Sequence, residues 1–313
     1  MLTTPMDVLT EFPVRKSKIQ KLKFCNEIQR YMQNMGYSVT IESGSRNCRN
    51  IIIGDPQTAQ YVVTAHYDTP PRMFLPNFIT PCNPVIYFAY QTFVVLILLG
   101  ISLGLAFGVG AIFQMPQLRF PVWYFSYLGM LMLLLFGPAN PNNANDNTSG
   151  IVTLLEIAKS MPQAARNKTC FILFDLEEKG LVGSRAYQKK HKSETNRQII
   201  LNLDCVGDGD EIMLFPTKKM RIRKRDLSQL ERICGRFGKK SIKLHRKGVA
   251  ICPSDHKNFP YAVGVMAFNR KKHIGLYCDR IHTKRDTVLD QTNVNIIRAA
   301  LVTLICQYKE NEL

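Results

Sequence analysis

Residues 69–145 make up 77 positions with only two charges, Arg72 and Arg119, and no acid. Within them, residues 85–113 form a 29-residue run without a charge. As a helix this run would extend ~43 Å at 1.5 Å per residue, enough to cross ~30 Å of hydrocarbon with some tilt. A second apolar run, residues 122–136, is 15 long, and reaching back to Leu118 takes in Arg119 and Pro121. Two buried core helices are the alternative, but 29 residues exceed the length of ordinary core helices. The short connection at 114–121 makes the pair a hairpin, so both ends emerge on one side of a bilayer. Every lysine and arginine except Arg119 lies outside the hairpin. The positive-inside bias therefore predicts two membrane spans with the remainder of the chain in the cytoplasm. Trp123, Tyr124 and Tyr127 cluster at the start of the second run, as an interfacial aromatic belt would. Gly100, Gly104 and Gly108 recur every four residues, a flat stripe that reads equally as packing on the second helix, as a homodimer contact, or as glycine without a role, being common in membrane helices.

The rest of the chain has a different character. The net charge is +17, with 46% hydrophobic and 21% charged residues, which excludes a disordered chain and predicts anionic neighbours. Six of the eight residues at 218–225 are basic: Lys218, Lys219, Arg221, Arg223, Lys224 and Arg225. Such a run reads equally as a site for anionic lipid headgroups or as a solvated loop. Nucleic acid is disfavoured because no binding motif accompanies it. Nine scattered cysteines without a CxxC pair argue for a reducing compartment. The N-terminus lacks a basic segment followed by an apolar run, so no signal peptide is expected.

Outside the hairpin, helical and strand periods alternate. Ile19, Leu22, Cys25, Ile28, Tyr31 or Met32, and Met35 predict a helix that stops at Gly36. Strands are predicted at 37–42, 50–53, 61–64, 169–174, 199–203, 212–215 and 261–268. Helices are predicted at 149–159, 181–191, 226–237 and 291–308. This is the pattern of an α/β sheet with helices on both faces. The expected organisation is a discontinuous catalytic domain, residues 1–82 and 138–313, interrupted by a transmembrane hairpin at 83–137.

Five segments set acids or histidines at the ends of strands, where α/β sheets build their sites. They are Ala65-His66-Tyr67-Asp68-Thr69, Asn145-Asp146-Asn147-Thr148-Ser149-Gly150, Asp175-Leu176-Glu177-Glu178-Lys179-Gly180, Asn202-Leu203-Asp204 and Ile281-His282-Thr283. On an extended backbone His66 and Asp68 face the same way, so the carboxylate can orient the ring and free its other nitrogen for a metal. Adjacent Glu177 and Glu178 point differently; one can bind a cation while the other serves as general base. Two histidines with three or four carboxylates suit a pair of zinc ions ~3.5–4 Å apart. Cobalt or manganese would be accepted by the same donors.

In these motifs, together with the Ser-Asp-His at 254–256 and the run from Ile281 to Thr287, the chain resembles the di-zinc aminopeptidase family of clan MH. That family includes bacterial leucyl aminopeptidases, glutamate carboxypeptidases and, as a divergent branch, glutaminyl cyclases. The resemblance implies a three-layer α/β/α zinc-exopeptidase fold with a mixed sheet. It implies that Asp146 bridges two Zn2+, that His66 and Asp204 complete one site and Glu178 and His282 the other. Glu177 would be the general base and Asp68 would orient His66. Ser254, Asp255 and His256 would lie near the substrate pocket. The implied activity is removal of N-terminal residues from peptides. A glutaminyl-peptide cyclotransferase is the first rival, disfavoured by His66, and a non-catalytic membrane scaffold the second. Some relatives carry an oxyanion-stabilising tyrosine where this chain has Ile251; Tyr261 and Tyr277 are the candidate substitutes. The interval of 80 residues between His66 and Asp146 is long for the family, and the surplus is the hairpin.

Overall fold

The computed structural model describes residues 1–307. Ten strands form one mixed sheet: β1 (Val39–Ser43), β2 (Arg49–Ile53), β3 (Tyr61–His66), β4 (Thr169–Phe174), β5 (Ile199–Leu203), β6 (Glu211–Pro216), β7 (Gly235–Phe237), β8 (Lys240–Leu244), β9 (Ala262–Lys271) and β10 (Gly275–Tyr277). The helices are α1 (Val8–Glu11), α2 (Lys18–Asn34), α3 (Pro84–Ile112), α4 (Arg119–Phe136), α5 (Gly150–Ser160), α6 (Gln163–Arg166), α7 (Val182–Lys190), α8 (Lys192–Thr195), α9 (Lys224–Arg232) and α10 (Gln291–Gln307). The spatial order is β1-β2-β4-β3-β5-β9-β6-β8-β7, with β10 against β9. The central strands β4, β3, β5 and β9 are parallel, and antiparallel pairs flank them.

Continuous burial of the central strands follows from helices on both faces. Val63 and Ala65 of β3, Phe171 and Leu173 of β4, and Leu201 and Leu203 of β5 join one core with residues of α2, α5 and α10. The alternate residues Val62, Cys170, Ile172, Phe174 and Ile200 pack on the other face with Tyr187 of α7 and Phe259. The period of two thus divides each strand between two layers.

Three expectations are corrected. The buried face of α2 carries Lys21, Phe24, Cys25, Ile28, Tyr31 and Met32, while Ile19 and Leu22 are exposed. The helix is turned because Lys21 is drawn inward to Asp175, 2.5 Å away. The helix expected to end at Phe237 stops at Arg232, and Gly235–Phe237 is the edge strand β7, hairpinned to β8 through Gly238 at φ 64°. Both β8 and β10 lack the apolar run that marks a strand. The predicted closing helix runs to Gln307; its last expected residue, Tyr308, lies outside the described residues.

Among the described residues two helical segments are long and apolar enough to cross a membrane, α3 and the segment Pro116–Phe136 that contains α4. They leave and re-enter the domain between β3 and α5, beside the C-terminal ends of the parallel strands. The basic run 218–225 lies at the opposite end of those strands: Thr217 N–H bonds Ala262 O, at the start of β9, and Arg223 stands 3.4 Å over the Tyr261 ring.

Candidate metal centre

Parallel strands place their C-terminal residues side by side, and this brings the scattered acids and histidines together. His66 ends β3, Glu177 and Glu178 follow β4, Asp204 follows β5, Asp146 sits in the turn before α5, and His282 lies in the loop after β10. Asp146 is central. One of its oxygens is 3.2 Å from His66 Nε2 and the other 3.1 Å from His282 Nε2. Asp204 is 3.8 Å from His66 Nε2, and Glu178 is 3.6 Å from His282 Nε2. Donor atoms of His66, Asp146 and Asp204 lie within 4.8 Å of one another, as do those of Asp146, Glu178 and His282. A third such group is His66, Glu177 and Glu178.

These donors converge on shared space rather than pairing with each other. His66 Nε2 and Glu178 Oε1, which face the cluster, are buried without a hydrogen bond. Buried polar groups left so are costly, and two cations between the triads would satisfy them. The electrostatics agree. Burial and then neighbouring acids push Glu177 and Glu178 well above the ordinary carboxylate range. Asp286 is pushed up to about 8 by burial and by Asp146. Asp146 goes down: burial opposes its charge, but His282 and His66 outweigh that, and Asp68 is lowered in the same way by His66. Such a collection of carboxylates with raised affinity for protons is one that would bind metal ions in their place.

The loops are pinned from behind. Asp286 accepts the backbone N–H groups of Asn145 (2.7 Å) and Asp146 (3.1 Å). Asn147 donates to Leu203 O (3.0 Å) and accepts from Cys205 N–H (3.2 Å), tying the Asp146 turn to β5. Gly150 is required there, since a Cβ would lie 2.6 Å from Leu203 O. Fully buried Arg15 bonds Tyr67 O (2.6 Å), Asn143 Oδ1 and Thr148 Oγ1 (3.1 Å each), joining the His66 and Asp146 segments. Leu176, Cys205 and His282 adopt left-handed backbone (φ 56°, 52° and 63°) beside the cluster. Strain of this kind gathers at functional sites. Asp68 is 3.6 Å from His66 Nδ1 and also accepts the N–H groups of Glu177 (3.0 Å) and Glu178 (3.3 Å), so it holds two segments.

A cavity of about 240 Å³ opens over the cluster, with Asn77, Ile79, Met266, Phe268 and Ile281 in its wall. Pro253 reaches it, whereas Ser254, Asp255 and His256 are buried behind the wall. Ser254 donates to Asp204, Ser184 donates to Asp255, and His256 lines a separate cavity of about 730 Å³. Tyr261 lies under Arg223 and Tyr277 packs on Phe78, and among the described residues no tyrosine lines the cluster cavity. Asp286 and Asn147 fall inside the motifs read from the sequence but had no assigned task there. Arg15 and Lys21 carried no signal: a lone cation in a basic chain reads as surface.

Comparison with known structures supports this fold. The glutaminyl cyclase of Porphyromonas gingivalis aligns with 98% of this chain and 96% of its own at TM-score 0.60 and 14% identity. A Zn-dependent exopeptidase of Parabacteroides distasonis aligns with 96% and 94% at TM-score 0.59 and 14% identity. The LapA aminopeptidase of Legionella pneumophila aligns with 97% and 70% at TM-score 0.58 and 15% identity. A sequence search of curated proteins finds no match. The model of peptidase family M28 matches residues 132–304, which take in every residue of the cluster except His66, separated from the others by the apolar insertion. With that match over more than half its length, and with this sheet beneath the cluster, the chain belongs to peptidase family M28.

Proposed function

We propose that the protein is a membrane-anchored zinc exopeptidase that removes N-terminal residues from peptides, with its catalytic domain in the cytoplasm. The observation that carries this reading is the position of Asp146, whose two oxygens face His66 on one side and His282 on the other. In this reading Asp146, His66 and Asp204 would hold one Zn2+, and Asp146, Glu178 and His282 would hold a second. Two such ions supply Lewis-acid polarisation of the scissile carbonyl and lower the pKa of water at the site.

The chain's own groups do the rest. Glu177, whose carboxyl is held above the ordinary carboxylate range by burial and by Glu178, takes a proton from the attacking water and returns it to the leaving amine nitrogen. Asp68 keeps His66 oriented and fixes the backbone of Glu177 and Glu178. Apolar Ile79, Met266, Phe268 and Ile281 favour an apolar side chain on the substrate and exclude water. The small volume favours a single residue at the buried end.

Residues 1–82 and 138–313 are the catalytic domain in this reading, and residues 83–137 the anchor. The apolar exterior of α3 and α4 supports it, as does the confinement of nearly all basic residues to one side.

Metal analysis together with a screen of aminoacyl and acyl-blocked peptides tests the proposal. About two metal ions per chain are expected, as in other two-metal hydrolase sites. Glu177→Gln keeps them and lowers hydrolysis by at least ~100-fold. Full activity in that variant overturns the base assignment. Cyclisation of an N-terminal glutamine peptide without release of an amino acid overturns the hydrolase reading. A purified chain that binds no metal returns the protein to the scaffold class.

A further inference from the structure

The segment at residues 71–78 crosses the base of the hairpin. At one end Pro71 pairs with Ala139 and Arg72 N–H bonds Pro138 O (2.8 Å), just past α4. At the other, Pro76 O accepts from Tyr90 Oη (2.9 Å) and Phe78 packs on the Tyr90 ring (5.1 Å), in the second turn of α3. Between these anchors Phe74 is fully exposed, although nothing in a water-facing loop rewards a bare aromatic ring. Met73 N–H bonds His282 O (2.7 Å), so the segment is also part of the catalytic rim.

The surface around it has the composition of a membrane interface. Arg119, at the start of α4, stands 5.0 Å over Phe107. Counting down both helices from there, about two turns of α3 extend beyond the end of α4. Val85 and Phe88 in those turns are exposed, so the apolar exterior continues to the domain itself. Cations ring this level. Lys16 Nζ donates to Gly137 O, Lys179 Nζ stands 5.8 Å over Phe136, and Arg72 is exposed beside Pro138. Across the hairpin, Lys271 and Lys272 are exposed on the β9–β10 turn, whose Ile274 O accepts from Asn83 Nδ2 (3.3 Å).

We propose that the 71–78 segment is a second membrane contact, in which Phe74 inserts into the leaflet and this cationic collar holds anionic headgroups. The metal cluster then opens within the headgroup layer, and substrates reach it along the membrane surface. The collar, on the hairpin's side of the domain, takes the lipid role that the 218–225 run suggested. The proposal rests on the reading of α3 and α4 as membrane spans, and the test separates the two.

The full chain is reconstituted in nanodiscs of phosphatidylcholine with or without phosphatidylglycerol. Trp123 is the sole tryptophan and lies in α4. Its quenching by brominated lipid reports hairpin insertion. In a Trp123→Phe background, Phe74→Trp is expected to emit at shorter wavelength than Ile222→Trp. It should also lose more than half its intensity to lipids brominated near the headgroup, and less to those brominated near the chain end. Ile222→Trp, in the exposed 218–225 run, should stay unquenched. Phosphatidylglycerol should deepen the Phe74→Trp quenching, and a variant with Arg72, Lys271 and Lys272 changed to Glu should lose that dependence. If Trp123 is quenched while Phe74→Trp emits as in water, this proposal falls alone. If Trp123 is unquenched, the spans fall and this falls with them. Quenching that ignores phosphatidylglycerol overturns the cationic collar.

Discussion

In the α/β layers Phe171 and Phe174 are wholly buried, while in the hairpin Phe88, Phe107 and Phe125 are each more than half exposed. What α3 hides is small: Ser102, Ala106 and Gly110. The domain thus turns its large apolar groups inward and pins its polar ones in bonded networks. The hairpin packs through small residues and turns its large apolar groups outward, as membrane helices do. Exposed apolar surface on this scale marks an interaction site in a water-soluble protein. The contrast is what the proposed anchoring requires, two parts of one chain with opposite placement of their large apolar groups. Their junction is the catalytic rim, because the hairpin is inserted between two segments that carry cluster residues.

The sharpest way to break that contrast is to damage one region and watch the other. Lys21 and Asp175 form a pair that is more than nine-tenths buried, and Asp175 also receives Arg49 N–H (3.1 Å) and Leu176 N–H (2.8 Å). Lys21→Met leaves a buried carboxylate without its cation, a change that costs about 3–5 kcal/mol. Burial already raises the Asp175 pKa. In detergent, the variant should lose the cooperative unfolding of the α/β domain at lower denaturant, while a residual helical signal from the hairpin survives. Adding Asp175→Asn should recover more than half of the loss. If the hairpin signal collapses together with the domain, the two regions are one cooperative unit and the comparison fails.

Acid sharpens the same division. The His256 ring packs on the bare Cα of Gly264, where an added Cβ would lie 2.8 Å from it. Burial, and then Lys257, pushes its pKa down to about 3. A depressed pKa means that the unfolded chain binds the proton first. The stability is therefore complete above about 6.5 and lost as pH falls towards 3. Asp255 acts in the opposite sense: its pKa, raised to about 7 by burial, contributes stability that is lost as pH rises through that value. His256 should contribute a fall of up to ~1.4 kcal/mol per pH unit below 6.5, set against the opposite slope of Asp255, so it is read as the difference in slope between the protein and a His256 variant. His256→Gln should remove that slope whatever its effect at neutral pH. Denaturant titrations at several pH values measure it, and an unchanged slope in the variant refutes the assignment. The hairpin has no histidine and should show no such dependence.

How much of this could be read from the residues depended on what signals they leave. Strands β4 and β5 fall where expected, to the residue, because an apolar run bounded by polar turns has one reading. The acids at strand ends were visible for the same reason: once parallel strands are placed, their tips must meet. The peripheral strands β7, β8 and β10 carry no apolar run to announce them, and Gly235 reads as part of a helix. Ile19 and Leu22 misled because periodicity cannot foresee that Lys21 has a buried partner 154 residues away. Arg15 is the same case, a cation that faces the interior for the sake of a carbonyl and side-chain oxygens contributed by two distant segments.

The smallest expected effect lies within the hairpin. Ala106 and Gly110 face α4, and a Cβ on Gly110 would lie 2.8 Å from the Arg119 side chain. Gly100, Gly104 and Gly108 point elsewhere, and an added Cβ on any of them meets nothing within 4 Å. The stripe is therefore not what joins the two helices. Ala106→Leu forces bulk into the α3–α4 contact and should weaken it by about 1–3 kcal/mol, as overpacking does. Gly104→Leu should leave that contact unchanged to within about 0.5 kcal/mol, as substitutions away from packed features do. A disulfide engineered between the helices reads out both, through its rate of formation in detergent and in bilayers. The same Gly104→Leu variant tests the homodimer expectation, because a second copy packed on the stripe would be displaced by leucine. Loss of chain-to-chain crosslinking in Gly104→Leu, with the intramolecular disulfide intact, assigns the stripe to a partner helix. Identical crosslinking in the two proteins leaves the glycines facing lipid.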